Sequence, residues 1–140
     1  MTARSILLIE DNPADVRFTL DAFRLAAPDV TVEVCEDGES ALQLLRDPAH
    51  PRPCLILLDL NLPGLDGREV LEAIKGDPDL GGIPICILTT SQAHDDVDRA
   101  YARHANSYVV KPVGLPAFRT AIEQIERYWF GTVQLPGAPG

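Results

Sequence analysis

Leu55-Ile56-Leu57-Leu58-Asp59 is the stretch on which the fold turns. Four consecutive apolar residues without polar alternation read as a strand buried on both faces of a sheet, as in parallel sheets covered by helices. The carboxylate that ends the run lies where open α/β sheets place their ligands, at the carboxyl end of a strand. Leu60-Asn61-Leu62-Pro63-Gly64 then reads as a loop, with Pro-Gly as its turn signal. Near the N-terminus, Ile6-Leu7-Leu8-Ile9 repeats the pattern and ends in Glu10-Asp11. Two buried strands that deliver acid at the same kind of end point to a cation site.

Strand and helix signals alternate outward from this pair. Strands are predicted over Ser5–Ile9, Val30–Cys35, Cys54–Leu58, Ile83–Leu88 and Ser107–Val110. Asp11-Asn12-Pro13 reads as a helix start, with Pro13 near the first helical position. Val16, Leu20 and Phe23 follow at helical spacing as a buried stripe. Ala41, Leu44 and Leu45 mark a second helix, stopped by Pro48, and Gly67 to Lys75 a third. Asp95 to His104 carries Val97, Ala100 and Tyr101 as a fourth stripe. Leu115, Phe118, Ile122, Ile125 and Trp129 define a fifth helix. Gly131 to Gly140, with two prolines and three glycines, is expected to be irregular. Five strands separated by helices imply an α/β fold: a doubly wound, five-stranded parallel sheet with helices on both faces, in a single domain.

The bulk properties fit. A chain of 140 residues is one ordinary domain, long enough to bury about two-thirds of its unfolded surface without a staple. A net charge of −9 argues against a nucleic-acid binder, which needs a basic face, and against docking on an anionic membrane. The acid excess suits a protein that binds a divalent cation, but an ordinary soluble surface is the simpler cause. Cys35, Cys54 and Cys86 are odd in number, form no CxxC and lie in or beside apolar segments, so they read as reduced core thiols. The first residues lead straight into a strand with no signal-peptide pattern. No apolar run approaches the ~20 residues a membrane span needs, so a reducing cytoplasm is expected. His50, His94 and His104 are scattered and read as surface residues. No glycine-rich phosphate loop is present to cradle a nucleotide.

All strands of a parallel sheet end at one edge. Here that edge gathers Glu10-Asp11, Asp59, Thr89 and Lys111. Taken singly, an acid after a strand is often a helix cap, a threonine at a strand end reflects β-propensity, and a lysine before proline means little. Their joint occurrence argues for a site. Clustered carboxylates repel one another until a hard cation relieves them, and Mg²⁺ takes one or two carboxylates together with phosphate oxygens. A lysine and a hydroxyl on the same edge can bind the remaining oxygens of a phosphoryl group.

Ile9-Glu10-Asp11-Asn12, the run from Leu57 to Gly67, the strand ending in Thr89, and Tyr108-Val109-Val110-Lys111-Pro112 together resemble the receiver domain of two-component response regulators, over Ser5 to Tyr128. The resemblance implies the flavodoxin-like receiver fold, with Asp59 as phosphoacceptor. Glu10, Asp11 and Asp59, with the backbone carbonyl of Asn61, would hold Mg²⁺; Thr89 and Lys111 would contact the phosphoryl oxygens. Tyr108 would be the switch aromatic, its alternative being an ordinary half-buried strand residue, and the Lys111–Pro112 bond would be cis. A sensor histidine kinase would be the phosphodonor, and the chain would catalyse only its own phosphotransfer and dephosphorylation. Two departures stand out. Glu-Asp replaces the commoner Asp-Asp pair, and His104-Ala105 replaces the commoner Gly-Ala.

The receiver is expected over residues 1–130, with a tail over 131–140. So short a tail leaves no room for an output domain, and action through binding, phosphate relay or titration of a kinase is expected. Tyr128-Trp129-Phe130 with Val133 and Leu135 reads either as an exposed interface or as a segment folded back on its own domain. The sequence most resembles the stand-alone response regulators paired with bacterial and cyanobacterial phytochromes. That implies a phytochrome kinase as partner, a homodimer, and a phosphorelay protein that binds neither nucleic acid nor membrane. Two other readings compete. A haloacid dehalogenase-type phosphatase also uses an Asp after a buried strand, but favours Asp-x-Asp where this chain has Asp59-Leu60-Asn61. A pseudo-receiver scaffold would be expected to have lost Asp59, Thr89 or Lys111.

Overall fold

The computed structural model describes residues 4–136. The elements run β1 (Ser5–Ile9), α1 (Pro13–Ala26), β2 (Thr31–Cys35), α2 (Gly38–Arg46), β3 (Leu55–Leu58), α3 (Gly67–Gly76), β4 (Ile85–Thr89), α4 (His94–Ala102), β5 (Ser107–Val110) and α5 (Leu115–Glu126). All strand pairs are parallel, in the order β2-β1-β3-β4-β5. Strand order reverses at β1, with β2 on one side and β3 on the other, so the crevice between the ends of β1 and β3 is the switch point at which such sheets bind ligands.

The unbroken apolar runs have the expected cause. Ile6 and Leu8, Leu55 and Leu57, and Cys86 and Leu88 face one layer, where they meet Phe23 of α1 and Phe118 and Ile122 of α5. Leu7 and Ile9, Ile56 and Leu58, and Ile85 and Ile87 face the other, against Ala41 and Leu42 of α2, Val70, Leu71 and Ile74 of α3, and Ala100 of α4. Strand side chains alternate between faces, so a strand covered on both sides must be apolar at every position. The edge strands β2 and β5 are mostly half-buried, and β2 is the strand that alternates in sequence.

Local signals set the helix starts. Asn12 caps α1, its Oδ1 accepting from the N–H groups of Ala14 (3.0 Å) and Asp15 (3.1 Å), with Pro13 opening the first turn. Asp66 and Glu69 form a reciprocal capping box at α3. Gly67 is required by close approach: a Cβ there would lie 2.2 Å from the carbonyl oxygen of Asp59. Phe23 of the α1 stripe is fully buried, whereas Val16 and Leu20 are half-buried.

Several expectations change. The fourth strand starts at Ile85 rather than Ile83, because Ile83 closes a turn onto Leu80 and Pro84 has no N–H; it gains Thr89, which pairs with Val110. Tyr101 lies on the outer side of α4 and is 49% exposed, leaving Ala100 as the buried contact. His50 is half-buried, its Nε2 at 2.9 Å from Glu33, whereas His94 and His104 are exposed. The described residues contain no cis peptide bond, so Lys111–Pro112 is trans, the form X-Pro bonds ordinarily prefer. The tail is not irregular from Gly131: a π-helical turn spans Arg127–Thr132, closed by Val133 N–H donating to the Tyr128 carbonyl at 3.0 Å. That turn directs Trp129 inward, and Phe130, Val133 and Leu135 pack beside it on the α1–α5 layer. The segment therefore folds back on its own domain and leaves Tyr128 outward, 51% exposed. Residues 137–140 of the expected tail lie outside the described residues. Cys35 and Cys86 are buried and Cys54 half-buried, all as free thiols. Among the described residues no helix is long and apolar enough to cross a membrane.

The His104-Ala105 departure has a backbone meaning. His104 has φ +71°, the one left-handed non-glycine among the described residues, and its N–H and that of Ala105 close the end of α4 onto the Tyr101 and Ala100 carbonyls. Glycine is the usual residue there because Cβ is disfavoured in that region. Replacing His104 by Gly should stabilise the domain by about 0.5–1 kcal/mol, read as a higher urea midpoint with unchanged m-value. Gly67→Ala should instead destabilise it by about 1–3 kcal/mol, since the obstructing atoms are backbone.

Candidate functional site

Register builds the site. Ile9 pairs with Leu58, so the next residues, Glu10 and Asp59, emerge side by side; the Asp59 N–H donates to the Ile9 carbonyl at 3.1 Å. Across β4, Lys111 N–H donates to the Thr89 carbonyl at 2.7 Å, which brings the end of β5 to the same edge. Glu10, Asp59, Thr89 and Lys111 are all buried, at 2%, 7%, 0% and 8% exposure. Buried ionisable groups persist when they are paired.

The pairing is concentrated on one ammonium group. Lys111 Nζ donates to Glu10 Oε1, to Asp15 Oδ2 at 2.8 Å and to Asp59 Oδ2 at 3.2 Å. Asp59 Oδ1 accepts the Asn61 backbone N–H at 3.1 Å, while the Asn61 side-chain amide reaches Thr89 Oγ1 at 3.5 Å. Glu10 Oε2 accepts the Asn12 N–H at 3.2 Å. Asp11 is exposed at the rim, yet Glu10, Asp11 and Asp59 each offer an oxygen within 4.8 Å of the others.

Burial pushes the Glu10 carboxyl up to about 7; its hydrogen bond to Lys111 opposes this and the charge of Asp59 adds to it. For Lys111, burial alone would lower the pKa, but hydrogen bonds to Asp15 and Glu10 and the charges of Glu10 and Asp59 outweigh it and hold the ammonium above the usual lysine range. The site therefore keeps its cation and holds more negative charge than that cation balances.

Five residues singled out in sequence, Glu10, Asp11, Asp59, Thr89 and Lys111, do converge, and Asn61 joins them through its N–H and side-chain amide. Tyr108 stands apart: it is half-buried, its hydroxyl donating to the Ser91 carbonyl at 2.8 Å. Asp15 was not anticipated. Its only signal was that of an acid in the first turn of a helix that starts at this edge.

The donor set suits a hard divalent cation. Oxygens around an octahedral Mg²⁺ at ~2.1 Å lie roughly 3–4 Å apart, so a 4.8 Å spread needs only a small contraction. Such an ion would add the charge that three carboxylates and one lysine lack.

A parallel sheet of this strand order, with an acid pair, an aspartate, a threonine and a lysine at its switch-point edge, defines a receiver-type signalling module. The model of the response regulator receiver domain matches residues 6–123, and the chain belongs to that family. It is 43% identical over 137 residues to response regulator Rcp1 of Synechocystis sp., covering 95% of this chain and 93% of that protein. The crystal structure of the Mn²⁺-bound form of Rcp1 superposes with a TM-score of 0.91 at 42% identity, covering 96% of this chain and 99% of that one. The phosphorylated cyanobacterial phytochrome response regulator RcpA gives 0.93 at 40% identity, covering 97% and 100%.

Because the Glu10 pKa is raised, a bound cation must displace a proton from it below about pH 7. Affinity for Mn²⁺ measured by calorimetry should fall about ten-fold from about pH 8 to about pH 6. Glu10→Gln should flatten that dependence. The same shift makes the folded state bind the extra proton, so without metal the contribution of Glu10 to stability declines as pH rises from 4.5 towards 7.

Proposed function

We propose that this response regulator accepts a phosphoryl group on Asp59 from a sensor histidine kinase, with Mg²⁺ as the cation. One observation carries the reading: a nearly buried aspartate lies 3.2 Å from a lysine ammonium, beside two further acids able to share a metal. Glu10, Asp11 and Asp59, with the Asn61 carbonyl, would hold Mg²⁺, which when bound supplies positive charge for the transferring phosphoryl group.

The steps follow from the residues. A carboxylate oxygen of Asp59 attacks phosphorus in line; the new P–O bond forms as the P–N bond to the kinase histidine breaks, leaving an acyl phosphate that water later hydrolyses. Asn61, by donating to Asp59 Oδ1, orients the carboxylate so that its other oxygen faces Lys111. Lys111 accompanies the charge as it passes to the phosphoryl oxygens. The Thr89 hydroxyl is on the same edge and can donate to one of those oxygens. Tyr108 then reports the change to the face formed by α4, β5 and α5.

The relatives' phytochrome association supports a phytochrome kinase as donor. The protein's only catalysis is on itself, through phosphotransfer and dephosphorylation. Three free thiols support a reducing cytoplasm. A homodimer is supported by the outward apolar residues Tyr101, Val110 and Leu115 on the α4–β5–α5 face and Tyr128 in the tail.

Incubation with acetyl phosphate and Mg²⁺ should add one phosphoryl group by intact mass, and chelation should prevent it. Asp59→Asn should abolish the gain while the protein stays folded. A gain undiminished in that variant would refute Asp59 as the acceptor.

A further inference from the structure

A second polar cluster lies beside the site, and apart from Tyr108 its residues have no part in the chemistry above. Arg68, in the first turn of α3, sends one arm of its guanidinium to Asp66 (3.1 Å) and the other to Asp96 of α4 (2.9 Å). Asp96 uses its second oxygen to accept the Ser91 hydroxyl at 2.5 Å. The Ser91 carbonyl in turn accepts the Tyr108 hydroxyl at 2.8 Å. Four residues thus run as one chain of hydrogen bonds from the helix that follows the Asp59 loop, through the loop that follows Thr89, to the ring on β5. Arg68 and Asp96 are each less than one-third exposed, at 30% and 22%. A guanidinium fork shared between two carboxylates is stiffer than a single surface pair.

We propose that Arg68, Asp96 and Ser91 form a latch that holds Tyr108 turned inward before any phosphoryl group arrives. Ser91 is the point of leverage. Its side chain is gripped by Asp96 and its carbonyl is the acceptor for Tyr108, so fixing the one aims the other. Thr89 lies two residues upstream on the same segment, so the latch also limits how far its hydroxyl can move. The hydrogen bonds and ion pairs of Arg68 go to Asp66 and Asp96, not to Asp59 or Thr89; it is a positioning residue that acts through Asp96. The strength of the α3–α4 bridge would then set how much of the inward position is populated without a phosphoryl group, and so how much is left for phosphorylation to alter. The effect on phosphoryl binding rests on the receiver reading; the position of the ring does not.

Fluorotyrosine labelling with fluorine NMR reads the ring directly, the Tyr108 signal being assigned with Tyr108→Phe. In the unphosphorylated wild type one signal, protected from solvent, is expected. Arg68→Met and Ser91→Ala should each shift it towards a solvent-exposed position, and the double variant should go no further than the larger single effect. Arg68 and Ser91 are linked through Asp96, so effects that simply add, or a signal unmoved by either change, would overturn the latch. Urea midpoints confirm that each variant is folded, and Asp96→Asn provides an independent break of the same chain. With Mg²⁺ and the phosphoryl analogue beryllofluoride, the latch variants should bind the analogue about five-fold more weakly than wild type. Unchanged affinity alongside an outward ring would disprove coupling of the latch to the site. Failure of the wild type to bind the analogue would count against the phosphoacceptor reading instead, with the ring measurement still deciding the latch.

Discussion

One ammonium group holds this edge of the sheet together. Lys111 arrives at the end of β5 and satisfies carboxylates from the end of β1, the first turn of α1 and the end of β3. Two of those acids, Glu10 and Asp59, are almost fully buried. An unpaired buried charge costs several kcal/mol, and breaking a buried pair typically costs about 3–5 kcal/mol. The acids can be dehydrated only because the lysine is there, and the lysine is in reach only because β4 sets β5 at the right register. A site built this way is poised. Its three carboxylates outnumber its one ammonium, and a divalent cation would relieve the excess.

The two layers of helices serve that edge. Their apolar side chains bury the central strands on both faces, which makes the strand ends rigid points of attachment. Approaches of the chain near the site are correspondingly tight, as at Gly67 against the Asp59 carbonyl. The α1–α5 layer is extended by the π-helical turn, where Trp129 is seated and the Arg4 guanidinium lies 5.6 Å from the Phe130 ring centre. The ends of the domain are thereby tied to each other on the face away from the Arg68–Asp96 bridge.

Much of the fold was legible because the relevant signals are local or periodic. Runs such as Leu55–Leu58 announce strands covered on both sides, and Asn12-Pro13 announces the start of α1. Thr89 and Lys111 could be assigned to the site because parallel strands must end on one edge. Where the reading missed, a long-range contact decided. Nothing near Tyr101 in sequence says that Ala100 takes the inner position. The Trp129 stripe continues a helical pattern that the chain leaves at Arg127 for a wider turn seating the indole against the α1–α5 layer. Asp15 reads as an ordinary first-turn acid until Lys111, 96 residues away, is placed against it.

The amino-acid sequence alone determined the class of fold, the chain order of its elements and the identity of the acids, threonine and lysine at the switch point. Those depend on hydrophobic period, turn chemistry and the rule that parallel strands share an end. Only the tertiary structure decided how charge is shared: that Lys111 serves three carboxylates, that Glu10 is the acid whose proton burial favours, and that Arg68 reaches Tyr108 through Asp96 and Ser91. Electrostatic energies depend on distance and burial, and both are set by packing between elements remote in the chain.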